Sequence, residues 1–534
     1  MNKLIKELKT VQNQTFTENG AGAFKSTLNA CLDAFGTLGA VREWSEDEII
    51  SCFKKAFYEN RETALRLLFY VRDIRGGLGE RKTFRVLLTW LAKEYPDIVE
   101  KEIWAGNILE YGRGDDLLCL LDTPMCKTVI DYIDAILAED SRDARKGKPT
   151  SMLAKWLPSE NASSPITRRY ARIIRKGINL TPKEYRQTLS AIRKNLKVVE
   201  TYMSANKWED IDYGKVPAKA GMNYARAFYR HDEVGYENYL DKVAEGKASI
   251  NARTLFPYEI VKKVLETKSA LDKKVANFLW ESLPNYLEGK DETGICVVDT
   301  SGSMWGEPIQ VAISLGLYHA DKCRGPFHNH FITFSANPYV QEVKGTTFAE
   351  KVDNMYNADW GCNTNLEAVF DLILKTAKNA NCSQADMPTK LYIISDMQFD
   401  EARNEYDYSL SPWNLLRKRN SPFMEIMKQK YAEAGYIMPT IVYWNVRSSH
   451  AGMFQDTFEG ENCCFVSGNS PTLFKAVMEG TTYEEVTVVA EDGSEVVMTE
   501  QTVDPMEVMY KALYNSRYDR VVAFYNPNHQ ILRH

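Results

Sequence analysis

Up to about residue 290, apolar side chains recur at i, i+3, i+4 and i+7, the spacing of one face of an α-helix. The stretches 62–74, 82–95, 126–139, 181–203 and 257–283 all carry it, parted by breakers such as Gly76-Gly77, Gly112-Arg113-Gly114 and Thr181-Pro182. Thr181-Pro182-Lys183-Glu184 predicts a helix start, with Thr181 as N-cap and proline at the first helical position. Medium helices with short loops and no intervening strands predict stacked helical pairs, an α-solenoid. No internal repeat of fixed length is visible.

From Gly294 the period changes. Ile295-Cys296-Val297-Val298 is a continuous apolar run ending in Asp299-Thr300-Ser301-Gly302-Ser303. After it, amphipathic stretches at 308–323, 365–378, 423–435 and 471–479 alternate with short apolar runs at 328–334, 390–395, 439–445 and 463–467. That alternation predicts a parallel, doubly wound sheet with helices on both faces. Residues 484–500 predict a β-hairpin turning at Asp492-Gly493, and 505–514 a further helix. The expected organisation is therefore multidomain. An all-α part spans residues 1–290, an α/β part 291–480 and an appendage 481–534.

At 534 residues the chain is too long for one hydrophobic core. No run approaches the roughly 20 apolar residues of a membrane helix. Ten cysteines without a CxxC pair fit reduced thiols in a cytoplasmic protein better than a disulfide framework or zinc site. His328 and His330 form an HxH pair inside a strand-like run and read as structural.

The net charge of −6 conceals a split. Residues 1–290 carry 47 Lys+Arg against 40 Asp+Glu, and the remainder 19 against 32. Residues 141–200 alone hold 15 basic and 4 acidic side chains. An excess of that size in an otherwise acidic chain points to an anionic partner for the helical part. Arg168, Arg172, Arg175 and Lys176 fall on one helical face, with Arg145, Lys146 and Lys148 before them. These seven are the candidate RNA-binding residues. Trp156, Tyr170 and Tyr185 lie nearby and read as core packing before base stacking.

Asp299, Ser301 and Ser303 place one carboxylate and two hydroxyls on a loop turned by Gly302, at the carboxyl end of a buried strand. Thr364 precedes a helix, and Asp396 closes another strand at the same end of the sheet. Oxygen-only ligands of low charge suit a hard cation such as Mg²⁺. The bland alternative is that the serines cap a helix and Asp396 merely ends a strand. Five such residues in this order weigh against it. Asp400 reads as a solvated loop acid.

This constellation resembles the von Willebrand factor A-type fold and its metal-ion-dependent adhesion site. The resemblance implies metal ligation by Asp299, Ser301, Ser303, Thr364 and Asp396, with the sixth position left to water or a partner carboxylate.

Residues 71–81, with a glycine turn among Arg72, Asp73, Arg75 and Arg81, read as an inter-helix turn with ion pairs before a phosphate cradle. The string 111–117 is similar, and its Asp115 and Asp116 read as suiting a helix N-terminus before a metal role. These two strings, followed by an A-type domain, resemble the Ro autoantigen (TROVE) proteins. A closer resemblance is to an uncharacterised Ro-like family, carried by residues 17–20, 153–158, 208–213 and 443–445. The Ro resemblance implies a ring of HEAT-like repeats that binds single-stranded and structured small RNA. A non-catalytic RNA-binding protein is thus expected. The second expectation is a module that recruits a protein partner's carboxylate to the metal. An enzyme is not expected, because no nucleophile elbow, Walker loop or general base beside the metal is apparent.

Overall fold

The computed structural model describes residues 12–19, 21–288, 293–335, 337–358, 364–399, 423–449, 452, 454–458, 462–489 and 495–522. The chain packs as two units, each assembled from two separate stretches. Met1–Thr63 joins Leu255–Leu513, and Ala64–Thr254 joins Tyr514–His534. These divisions differ from the linear spans 1–290, 291–480 and 481–534. Strands do begin just beyond residue 290, but the helices on either side of that point share one core. Ile260, Val261 and Val264 of the helix Pro257–Glu266 are buried, and the helix packs on Glu307–Lys322. Trp280 stacks on Phe348 at 4.2 Å.

The first unit is built on a six-stranded sheet. A small antiparallel pair, β1 (Gln14–Phe16) and β2 (Gly22–Phe24), precedes it. The sheet strands are β3 (Ile295–Asp299), β4 (His330–Phe334), β5 (Val340–Glu342), β6 (Lys390–Ser395), β7 (Thr440–Asn445) and β8 (Cys463–Ser467). Their spatial order is β5-β4-β3-β6-β7-β8, parallel except for the antiparallel edge strand β5. Every residue of β3, β6 and β8 is buried, as strands covered on both faces require. The expected helices form at Glu307–Lys322, Leu366–Ala380, Phe423–Glu433 and Thr472–Glu479. His328 and His330 aim ring nitrogens at the backbone carbonyls of Cys323 and His328, each at 2.8 Å, which is the structural role. The hairpin β9 (Thr481–Val489) and β10 (Glu495–Val503) is fully paired, while its expected turn at Asp492-Gly493 lies outside the described residues.

The second unit is helical. Its principal helices are Arg81–Glu94, Pro96–Trp104, Cys126–Arg145, Pro165–Gly177, Pro182–Asn195, Ala218–His231 and Glu233–Ala244. Thr181 caps as expected, exchanging hydrogen bonds with Glu184 in a capping box. Two helices expected as continuous are broken. Lys197 at φ 50° ends the one begun at Pro182, and Ser269 caps a new helix, Ala270–Glu281. The glycine turn is a web of ion pairs. Buried Asp73 accepts from Arg517 and, at 2.9 Å, from the Tyr518 hydroxyl. Buried Asp116 accepts from Arg72 at 2.8 Å and Arg85 at 2.7 Å. A Cβ on Gly77 would sit 2.0 Å from the Tyr70 carbonyl oxygen, so the turn admits only glycine there.

Candidate functional site

Strands β3 and β6 lie side by side at the centre of the sheet, and the chain departs from them in opposite directions. In such sheets the crevice at this switch, beyond the carboxyl ends of the strands, is where ligands bind. Asp299 is the last residue of β3, and Asp396 follows the last residue of β6. The topology therefore delivers two carboxylates to one crevice.

Asp299 is fully buried. One carboxylate oxygen accepts from the Ser301 backbone N–H at 2.8 Å, the other from the Ser395 hydroxyl at 2.5 Å. The hydroxyls of Ser301 and Ser303 are 3.1 Å apart. Asp396, also buried, accepts from the Gln398 N–H at 3.2 Å, and the nearby Ser303 hydroxyl favours its charged form. The buried Thr364 hydroxyl donates to the Gln398 carbonyl at 2.9 Å. Asp299, Ser301, Ser303 and Asp396 thus form one cluster, and Thr364 joins it through Gln398. The residues leading into Thr364, 361–363, and Asp400 lie outside the described residues.

Burial pushes the Asp299 carboxyl up to about 7, with the neighbouring Asp396 charge adding to it. Burial also raises Asp396, against hydrogen bonds from Ser303 and Gln398 and the charge of Arg447. Two buried carboxylates of like charge leave a local demand for a cation. The available donors are all oxygens, two of them charged, a set that fits a hard divalent ion with waters completing its shell. No cluster of three or more His, Cys, Asp or Glu side chains is placed to hold a metal among the described residues, so the fit depends on the hydroxyls.

Sequence reasoning missed three contributors. Ser395 holds Asp299, and Gln398 joins Asp396 to Thr364. Arg447, two residues beyond β7, donates to the Ser303 carbonyl and to the Glu43 carboxylate at 2.7 Å. A polar residue at a strand end carries no periodic signal, so none of the three stands out in the sequence.

The seven basic candidates divide. The Arg168 guanidinium donates to the Ala162 and Ser163 carbonyls at 2.9 and 2.7 Å. The Arg175 guanidinium donates to the Glu160 carboxylate at 2.9 Å and the Leu180 carbonyl at 2.8 Å. Both are occupied within the unit. Arg145, Lys146, Lys148, Arg172 and Lys176 are exposed, and no hydrogen bond or ion pair engages their side chains among the described residues. They form two groups at opposite ends of the helix Cys126–Arg145. Lys176 neighbours Gly177, which packs on Ile130, while Lys148 offers its carbonyl to Asn195 just past the other end. Ile130 to Arg145 is about 22 Å along the helix axis.

The nearby aromatics serve packing. The Arg113 guanidinium covers Trp156 at 4.1 Å, the Tyr170 hydroxyl bonds Asp122 at 2.8 Å, and Tyr185 is buried.

Two family models divide the chain between them. The domain of unknown function DUF2828 matches residues 17–101 and 152–292, and the domain of unknown function DUF7788 matches 293–513. The chain belongs to the family of the uncharacterized protein L728 of Acanthamoeba polyphaga mimivirus. The two are 31% identical over 516 residues, spanning 89% of this chain and 86% of that protein. Among solved structures it is similar to the crystal structure of the Deinococcus radiodurans RO (RSR) protein. That similarity has 12% identity and a TM-score of 0.45 over 84% of this chain and 99% of that one.

Proposed function

We propose that the chain is a non-catalytic RNA-binding protein. In this reading the helical unit, a HEAT-like solenoid or ring, contacts phosphates, and the sheet unit is a von Willebrand factor A-type domain holding Mg²⁺. The observation that carries it is the set of five exposed cations with no side-chain partner among the described residues, Arg145, Lys146, Lys148, Arg172 and Lys176. Cations left free in two groups are available to phosphates, and release of condensed counterions then supplies affinity.

The metal would be held by Asp299, Ser301, Ser303, Thr364 and Asp396, the hydroxyls directly or through water. When bound it supplies charge neutralisation between two buried carboxylates and an open coordination position. The chain's own groups do the rest: Ser395 orients Asp299, and Arg447 fixes the Ser303 carbonyl.

The test is direct binding of the full chain to structured and single-stranded RNA at low salt. Charge reversal of Arg172 and Lys176 is expected to weaken binding at least tenfold. No binding at about 50 mM salt, or none lost on charge reversal, would sink the reading.

A second reading, recruitment of a protein partner's carboxylate to the metal, has an observation of its own. Ser303 is exposed, and Trp305 beside it is 79% exposed, the kind of aromatic anchor that dominates interfaces. Partners that are retained by an Asp299→Ala variant in Mg²⁺ would count against it.

A further inference from the structure

Resting on the reading of the cluster around Asp299 and Asp396 as a divalent-cation centre, we propose that Thr17 and Asn19 are positioning residues of that centre. They act through Gln398. The loop after β6 needs holding, because Met397 adopts φ 64°, a left-handed conformation that is strained for a residue with a Cβ.

The hold comes from the far end of the sequence. The Thr17 hydroxyl donates to the Phe399 carbonyl at 2.6 Å, the Glu18 N–H to the Gln398 side-chain oxygen at 2.9 Å, and the Asn19 amide to the Gln398 carbonyl at 2.8 Å. That carbonyl also accepts from Thr364, and the Gln398 amide donates to the Ser449 hydroxyl at 3.0 Å. Gln398 in turn gives its N–H to Asp396, while the Met397 N–H goes at 3.1 Å to Ser395, the residue that holds Asp299. The segment Ser395–Phe399 is therefore held by Thr17 and Asn19 on one side and bonds both carboxylates on the other.

The N-terminal segment that supplies this hold is itself anchored. Thr17 accepts from the Ala21 N–H at 2.9 Å, and Phe24 of β2 exchanges two backbone hydrogen bonds with Phe454, at 2.7 and 3.0 Å. Removing a group that orients a metal ligand from behind typically costs about 10- to 100-fold in metal affinity. Residues some 380 positions from Gln398 in sequence thus hold the loop that follows Asp396.

The experiment titrates Mg²⁺, and separately Mn²⁺, into the full chain by calorimetry, with Thr17→Val, Thr17→Ser and Asn19→Ala beside the wild type. Thr17→Val and Asn19→Ala are expected to bind either ion about 10- to 100-fold more weakly. Thr17→Ser, which keeps the donor, is expected to bind as the wild type does, and the metal-free melting temperatures to agree. Should Thr17→Val fail to fold, Asn19→Ala decides, since Asn19 is exposed. Wild-type uptake with unchanged affinity in Asn19→Ala overturns the inference alone. A wild-type chain that takes up neither ion overturns the metal reading and the inference with it.

Discussion

Glu102 lies in the helix Pro96–Trp104 with 1% of its surface exposed, and burial pushes its carboxyl up to about 8 despite a hydrogen bond from the Asn107 amide. Its Oε1 and the Asn107 Oδ1 have no hydrogen-bond partner among the described residues, and a proton on the acid gives it a hydrogen to donate. The folded-state pKa is raised, so from the ordinary value to about 8 the folded chain keeps a proton that the unfolded chain releases. Stability therefore falls as pH rises through that window, by on the order of 3 kcal/mol between about pH 5 and 8. Denaturant unfolding at several pH values should show that loss in the wild type, and Glu102→Gln should remove it. Equal slopes in both would refute a protonated Glu102. A second residue-scale outcome concerns Gly77. An alanine there meets the Tyr70 carbonyl and should cost about 2 kcal/mol or more, read by the same unfolding.

The residues gathered at the sheet crevice were legible at this scale because Asp299 and Asp396 close apolar strands and Thr364 precedes a helix, and those elements were legible first. Ser395, Gln398 and Arg447 were not, because their partners come from distant loops that no spacing reveals. The basic run shows the converse limit. Counting charge found all seven residues, but only the fold shows that Arg168 and Arg175 are held by nearby carbonyls and by Glu160.

Among the elements, the helix that begins at Pro182 depends on the cap at Thr181, whose hydroxyl accepts from the Glu184 N–H. Thr181→Ala should lower stability by about 1 kcal/mol, visible as a shift in the denaturant midpoint. An unchanged midpoint would mean that packing alone sets this helix end. Helical period identified Arg61–Arg72, Arg81–Glu94, Cys126–Arg145 and Pro182–Asn195 but passed over Glu46–Glu59, Pro96–Trp104, Ala218–His231 and Glu233–Ala244, and it ran across the breaks at Lys197 and Ser269. Apolar residues continue through both on the same period, and only a left-handed residue and a serine cap interrupt the backbone. The edge strand β5 was illegible for a different reason. Three half-exposed or exposed residues carry no alternation to read.

For the whole molecule, the assembly of each unit from two separate stretches of chain was beyond sequence reasoning, since it depends on contacts between distant segments rather than on period. Its clearest consequence lies at the C-terminus. Arg517 and Tyr518 cover the buried Asp73, and Arg66 meets Asp519 at 3.2 Å. Truncation after Leu513 removes those partners and leaves a buried carboxylate uncompensated, a loss of roughly 3–5 kcal/mol. Scanning calorimetry should show the helical unit melting earlier in the truncated chain. A thermogram superimposable on the wild type would contradict that role for residues 514–522.

The central claim is that free cations on the helical unit contact RNA phosphates. Its most direct measurement is the RNA-binding constant of the full chain as a function of salt concentration. Five phosphate contacts give an expected slope of log K against log salt between roughly −3.5 and −4.5. Reversing Arg145, Lys146, Lys148, Arg172 and Lys176 together should bring that slope towards zero. A wild-type slope already near zero, or one that survives the five reversals unchanged, would contradict the claim.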